Sequence, residues 1–324
     1  MDWSSSTILV TGGTGSFGQR FAEIILREHN PTKLIVYSRD EWKQHEMRSR
    51  FPHDNVRYFI GDVRDLPRLR RAMSQVDVVV HAAALKQVPA CEYNPIEAVN
   101  TNINGTKNVI DAALDCGVKQ VLFLSTDKAT APVNIYGATK LVAEKLIVQA
   151  NSYSRGEDRT RFSAVRYGNV FGSRGSVISL FERQKAEGVI TVTDDRMTRF
   201  WITVDQGVRF VASVIERMQG GEVFVPKLPA VRITDLAKAM APECEVKIIG
   251  IRPGEKLHES LISVDEAPFT IDMGDRFILL PAQPTGAAQT WIDKGRRAQE
   301  GFSYSSERIE NYLPVDEIIH RLQK

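Results

Sequence analysis

The sequence predicts a doubly wound α/β fold, a parallel sheet covered by helices on both faces, with a smaller C-terminal domain interleaved with it. Two observations carry this expectation. Short β-branched apolar runs alternate with amphipathic segments through the first half of the chain, which is the pattern of a parallel sheet with crossover helices. The first run also ends in Thr11-Gly12-Gly13-Thr14-Gly15-Ser16-Phe17-Gly18, a glycine loop placed between a strand and a helix, as Rossmann-type folds place theirs.

Taken in order, the strands are expected at Thr7–Thr11, Lys33–Tyr37, Val56–Gly61, Val76–Ala82, Gln120–Ser125 and Phe162–Tyr167, with helices between them. Each run is nearly all apolar, as strands buried on both faces should be. After about Gly172 the alternation breaks down. Gly, Pro and charged residues then punctuate shorter elements, among them a helix at Thr203–Met218 and a short strand at Val223–Val225. The expected division is a dinucleotide-binding domain over 1–171, with a returning segment near 200–225, and a mostly substrate-binding domain over 172–324. Gln283-Pro284-Thr285-Gly286 reads as a flexible loop.

The composition narrows the function. A chain of 324 residues with 43% hydrophobic content can bury a sizeable core. Its 42 basic and 40 acidic residues give a net charge of +2, too even to suggest nucleic acid or an acidic membrane surface as partner. The ligand is therefore sought in a pocket. The three cysteines, Cys91, Cys116 and Cys244, have neither disulfide-framework nor zinc spacing, and no histidine pair has metal-ligand spacing. The polar start Asp2-Trp3-Ser4-Ser5-Ser6 lacks the features of a signal peptide, and no apolar run reaches membrane-spanning length. A cytoplasmic protein without a metal site is expected.

Gly13, Gly15 and Gly18 satisfy Gly-x-Gly-x-x-Gly. Such glycines let the backbone turn tightly and approach a pyrophosphate that sits on the positive end of the following helix. After the second strand stand Ser38-Arg39, with Lys43 nearby. A hydroxyl and a guanidinium suit a 2′-phosphate, so NADP is expected over NAD, with Asp40 as an opposing charge. Gly12, Thr14, Ser16 and Phe17 of the loop belong to the same expected cofactor site. So do Asp62 and Val63 after the third strand, Ala82 and Lys86 after the fourth, and Ser125 after the fifth.

Ser125-Thr126-Asp127-Lys128 is followed eight residues later by Tyr136-Gly137-Ala138-Thr139-Lys140. Residues four apart share a helix face, so Lys140 is placed to favour the Tyr136 phenolate, which otherwise forms only near a pKa of about 10. An acid and base beside a hydride-transfer tyrosine imply oxidation and dehydration in one pocket. Thr126 is expected either to hydrogen-bond a forming ketone or simply to cap the strand end.

These residues, together with "VYSRDEWKQ", "FIGDVRDL", "HAAALKQVP", "VRYGNVFGSRGSV", "RMTRFWIT" and "IRPGEKLHE", resemble the extended short-chain dehydrogenase/reductase superfamily. The closer resemblance is to the inverting UDP-N-acetylglucosamine 4,6-dehydratases of pseudaminic acid biosynthesis, a route to flagellin glycosylation. The resemblance implies an NADP-dependent, homo-oligomeric lyase acting on UDP-N-acetylglucosamine. Tyr136 and Lys140 then serve C4 oxidation, Lys128 is the C5 base and Asp127 the acid for the leaving C6 hydroxyl. Asn169, Arg199 and Arg252, with Lys86, are implied to hold the substrate. One departure is Thr130-Ala131-Pro132, where relatives carry Ala-Asn-Pro; the missing amide is expected to alter loop order or substrate fit. UDP-sugar 4-epimerases, retaining 4,6-dehydratases and a silent NADP-binding sensor or scaffold are the competing readings.

Overall fold

The structure is a computed structural model that describes residues 1–154, 156, 159–172, 176–282, 286–309 and 312–322. Six parallel strands form its centre: β1 (Thr7–Thr11), β2 (Lys33–Ser38), β3 (Val56–Ile60), β4 (Val78–His81), β5 (Gln120–Leu124) and β6 (Arg161–Val165). They lie in the spatial order β6-β5-β4-β1-β2-β3, the doubly wound arrangement whose crevice opens where the chain reverses direction across the sheet. All six fall within two residues of the expected bounds. Ala82, Ser125 and Tyr167, which the sequence reading put inside strands, lie just beyond them and line the central cleft instead.

The sheet continues past β6. Val223–Pro226 adds in parallel, and Arg276–Leu279, Thr270–Asp272 and Arg296–Arg297 follow antiparallel, making ten strands. Helix Val204–Arg217 begins at a capping box made by Thr203 and Gln206, which satisfies the first free backbone donors. A second apolar cluster, centred on Phe181, Trp201 and Leu236, stands apart from the core of the large sheet. Around it Thr198–Ile202 pairs with Ala230–Arg232 and Asn169–Val170, and Val189–Val192 pairs with Glu245–Ile248. Within Gln283–Gly286, residues 283–285 lie outside the described ones, and Gly286 opens the helix Gly286–Lys294. The three cysteines are free.

The cleft end of the sheet is fixed by buried polar contacts. Thr11 Oγ1 meets His81 Nδ1 at 2.7 Å and accepts from the Ala82 and Ala83 N–H groups. Burial, aided by the Lys140 charge, pushes the His81 pKa down to about 3, so the ring is neutral and serves only as a hydrogen-bonding spacer. Gly12 has φ +65°, and a Cβ there would lie 2.9 Å from the Ala83 backbone. Only glycine fits that left-handed turn at such close approach.

Arg166 is wholly buried just after β6. Its guanidinium pairs with Glu144 on helix Ile135–Gln149 and with Glu266, the latter at 3.0 Å, and donates to Thr130 Oγ1 and Leu261 O at 2.9 Å each. Burial opposes its charge, but the two carboxylates outweigh that and raise its pKa. Removing one partner of such a cluster leaves an uncompensated buried charge. Arg166→Met is expected to lower unfolding stability by about 3–5 kcal/mol in urea titration; a loss below about 1 kcal/mol would show that solvent reaches the two glutamates.

Candidate active site

A cleft of about 670 Å³ runs along the carboxyl ends of the central strands, where doubly wound sheets bind ligands. The glycine loop lines one end through Gly12, Thr14, Gly15, Ser16, Phe17 and Gly18. Gly13 does not: a Cβ on it would point into Val36 and Val10, behind the loop. Ser38, Arg39, Lys43, Asp62, Val63, Ala82, Lys86 and Ser125 are all brought to the same wall. Ser38 Oγ meets Thr14 Oγ1 at 2.7 Å. Asp40 is spent locally, capping helix Glu41–Arg50 through Lys43 N and pairing with the Lys43 ammonium, whereas Arg39 has a loose contact with Asp62 at 3.4 Å and is half exposed.

The surroundings fit a dinucleotide. Gly15 begins the helix Ser16–Glu28 without a side-chain cap, leaving its N–H groups for an anion. Ser125 Oγ and Thr101 Oγ1 are buried, line the cleft and have no hydrogen-bond partner among the described residues.

The chemistry-bearing residues converge at the other end. β5 stops at Leu124, and Ser125 and Asp127 donate their N–H groups to Val165 O at 2.7 Å and Tyr167 O at 3.1 Å, holding the catalytic turn against the segment after β6. Thr126 caps that turn by accepting from Lys128 N, and it donates its hydroxyl proton to Asp127 Oδ1 at 2.9 Å. Its cap is therefore real, and it also lines the cleft. A Cβ on Gly137 would lie 2.2 Å from Lys128 O, so the absence of a side chain there lets the tyrosine helix sit directly on the turn.

Lys128 Nζ lies 3.0 Å from Asp127 Oδ1, 3.0 Å from Asn169 Oδ1 and 3.4 Å from Glu259 Oε1. Burial alone would discharge it, but the Asp127 and Glu259 charges prevail and raise its pKa. The lysine expected to act as a neutral base thus carries a proton at rest. Asp127 is fully buried and does not line the cleft, which reaches it only by way of Thr126 and Lys128.

Tyr136 lines the cleft, and its pKa is pushed up to about 12 by burial, opposed by the Lys128 charge and a Thr126 hydrogen bond. The cation expected to assist it, Lys140, lines the same cleft. Its ammonium donates to Leu124 O at 2.6 Å and lies 3.9 Å from the Phe123 ring centroid. The shared helix face holds, but the long side chain reaches the β5 carbonyl, so Lys128 is the cation that acts on the phenol.

The chain matches, over residues 8–281, the family described as polysaccharide biosynthesis protein. The chain belongs to that family. It is 50% identical to "UDP-N-acetylglucosamine 4,6-dehydratase (inverting)" of Campylobacter jejuni strain 81-176, covering 98% of this chain and 97% of the relative. It is also 42% identical to "UDP-glucose 4-epimerase" of Rickettsia conorii, over 84% of this chain and 82% of that one. Among solved structures, Pen from Bacillus thuringiensis superposes with a TM-score of 0.90 at 40% identity, covering 100% of this chain and 98% of that one.

Two of the family motifs fall short of the cleft. Arg199 is buried, but its guanidinium donates to Thr198 O, Leu257 O and Lys256 O at 2.7–3.0 Å, so it braces the chain instead of lining the pocket. Arg252 is half exposed beside Glu255, also outside the lining residues. Ala131 is exposed and outside the cleft as well, with φ +43°. Its departure from asparagine costs about 1–2 kcal/mol of left-handed strain, not a contact to the pocket.

Sequence reading missed several positions. Asn102, in the π-helical stretch Val99–Asn104, ties Leu85 to Thr139 through three hydrogen bonds. Glu92 accepts from Ile135 N at the start of the tyrosine helix. Trp201 lines the cleft with its buried indole N–H unpartnered among the described residues. Only Asn102 had a signal, an asparagine-rich break in a helical pattern.

Burial lowers the Lys140 pKa to about 7, so the folded state resists holding its proton. The cost is full below pH 7 and vanishes as pH rises to about 10.5, where the unfolded chain also loses the proton. Lys140→Met is therefore expected to raise the melting temperature at pH 6, with a gain that shrinks steadily from pH 7 towards pH 10. A pH-independent difference would mean that Lys140 is not charged by burial in this way.

Proposed function

We propose that the protein is an NADP-dependent, C5-inverting UDP-N-acetylglucosamine 4,6-dehydratase, a hydro-lyase that forms UDP-2-acetamido-2,6-dideoxy-β-L-arabino-hexos-4-ulose as the first step of pseudaminic acid biosynthesis. The observation that carries it is Lys128 on the wall of the same cleft as Tyr136, with Asp127 3.0 Å behind it. A 4-epimerase needs no acid and base for water elimination. The Campylobacter dehydratase also matches more of the chain than the Rickettsia epimerase does.

A bound nicotinamide dinucleotide would accept a hydride from C4 and return one to C6. Tyr136 first gives its own proton to solvent, a loss that the Lys128 charge favours against the effect of burial, and the phenolate then takes the C4 hydroxyl proton. The resulting ketone acidifies the C5 proton. One proton moved from Lys128 to Asp127 across their contact turns the resting ion pair into a neutral amine and a carboxylic acid, the two species elimination needs. The amine takes the C5 proton, the C5–H electrons form the C5–C6 double bond, and the C6 hydroxyl leaves as water with the Asp127 proton, delivered through Thr126. A solvent proton added to C5 on the opposite face gives inversion, and the protons left on Tyr136 and Lys128 return to solvent or to the resting pair.

Ser38 and Arg39 at the cleft, with Asp40 committed to Lys43, support a 2′-phosphate over a bare ribose. Residues 172–324 are assigned mostly to the substrate side, in a cytoplasmic homo-oligomer. Free cysteines suit a reducing compartment.

NMR with UDP-N-acetylglucosamine in deuterated water tests the reading. An L-arabino 4-keto-6-deoxy product with deuterium at C5 is expected; a D-xylo product would assign the retaining class, and a UDP-N-acetylgalactosamine product the epimerases. Lys128→Ala should abolish elimination and leave NADP binding intact, while Tyr136→Phe should block the first oxidation. Arg39→Ala should weaken NADP binding by roughly 10- to 100-fold, the value of a charged hydrogen bond, and NAD binding by far less. Equal losses for both cofactors would remove the case for NADP.

A further inference from the structure

Glu259 is 3% exposed and lies immediately before the strand Ser260–Ile262. Its backbone is clamped by Ser306: the N–H donates to Ser306 Oγ at 3.0 Å, and the C=O accepts from Ser306 N at 2.8 Å. The carboxylate faces three cations. Oε1 is 3.4 Å from Lys128 Nζ and 3.9 Å from Arg199 Nε, and Oε2 is 3.8 Å from Lys256 Nζ. Oε2 has no hydrogen-bond partner among the described residues. Burying a carboxylate with so little hydrogen bonding is costly, so its charge must be offset by what it faces.

Two of those cations are fixed in place. Arg199 is held by three backbone carbonyls, and Lys256 donates to Thr130 O at 2.6 Å. Lys128 alone lines the cleft, and Glu259 does not. Any influence of Glu259 on the reaction therefore passes through Lys128. Asp127 cannot hold the proton destined for the leaving hydroxyl and also neutralise the ammonium that forms when Lys128 takes the C5 proton. Glu259 is the other carboxylate in contact with that nitrogen.

We propose that Glu259 is a positioning residue that, opposite Asp127, holds the Lys128 nitrogen where it meets the C5 proton and, as a fixed negative charge, favours the ammonium formed in elimination. This rests on the dehydratase reading above. Besides Glu259, the titratable groups that act on Lys128 are Asp127 beside it, Arg199 from the strand Thr198–Ile202, and Lys86, Tyr136 and Lys256 around it. Loss of the Glu259 charge weakens the hold of Lys128 on a proton. The pH limb on which the Lys128–Asp127 pair loses its shared proton then moves to lower pH, and a nitrogen no longer held from both sides meets C5 less often.

The test compares wild type, Glu259→Gln and Glu259→Asp with UDP-N-acetylglucosamine in deuterated water from pH 6 to about 11, far enough for an alkaline lysine limb, reading C5 deuterium and the absorbance of reduced nicotinamide. In Glu259→Gln, kcat should fall at least about tenfold, part of the roughly 10²–10⁴ that a general base contributes, with KM changed less than about threefold. Reduced nicotinamide should accumulate, because C4 oxidation outruns elimination, and the limb should move acidward by about one unit, tenfold in proton affinity. Glu259→Asp should restore most of both. An unshifted limb without accumulation, or equal loss of oxidation and elimination, would overturn the proposal. If Glu259→Gln does not fold, Glu259→Asp decides: a partial acidward shift supports the role and an unshifted limb overturns it. A wild type that binds the sugar nucleotide but never eliminates water would overturn the dehydratase reading, and this role with it.

Discussion

The buried Arg166 cluster is the constraint on which the rest of the site depends. One guanidinium joins Glu144 on the tyrosine helix, Thr130 after the catalytic turn, and Leu261 and Glu266 from the C-terminal part of the chain. These segments come from distant parts of the sequence, and their apolar residues Ala143, Ile147, Leu261 and Ile262 share the main core without fixing a direction of contact. A planar, permanently charged fork with five donors does set it, because each acceptor is met in one direction only. The positions of Tyr136, Lys128 and Glu259 relative to one another follow from that junction.

A second set of contacts fixes the depth of the cleft. Thr11 holds the loop after β4 against the glycine loop, and Asn102 holds the same loop against the tyrosine helix. All are neutral hydrogen bonds between buried groups. They add no charge of their own to the pocket, whose charged side chains are Arg39, Asp40, Lys43 and Asp62 beyond β2 and β3, with Lys86, Lys128 and Lys140 nearer the tyrosine.

There the charges are arranged so that no single carboxylate does two jobs. Asp127 touches Thr126 and Lys128 behind the cleft wall, while Glu259 is walled in by Arg199 and Lys256. The same field reaches Tyr136, whose phenol is otherwise pushed far from neutrality by burial. The tyrosine and the Lys128–Asp127 pair therefore share one electrostatic source.

The sequence by itself determined the six central strands, the glycine loop and the tyrosine helix, because apolar periodicity and local turn chemistry are written in neighbouring residues. It also marked Thr126, Asp127, Lys128, Tyr136 and Asn169, which the fold brings together. What only the tertiary structure decided is which way the long charged side chains reach. Lys140 turned to the Leu124 carbonyl, Arg199 to three backbone oxygens, and Glu259, given no role in the sequence reading, came to rest against Lys128. The physical reason is that a lysine, arginine or glutamate spans several ångströms and settles on the partners that best offset its burial. Those partners lie tens of residues away in the chain and become neighbours only when the sheet and the C-terminal segments close on each other.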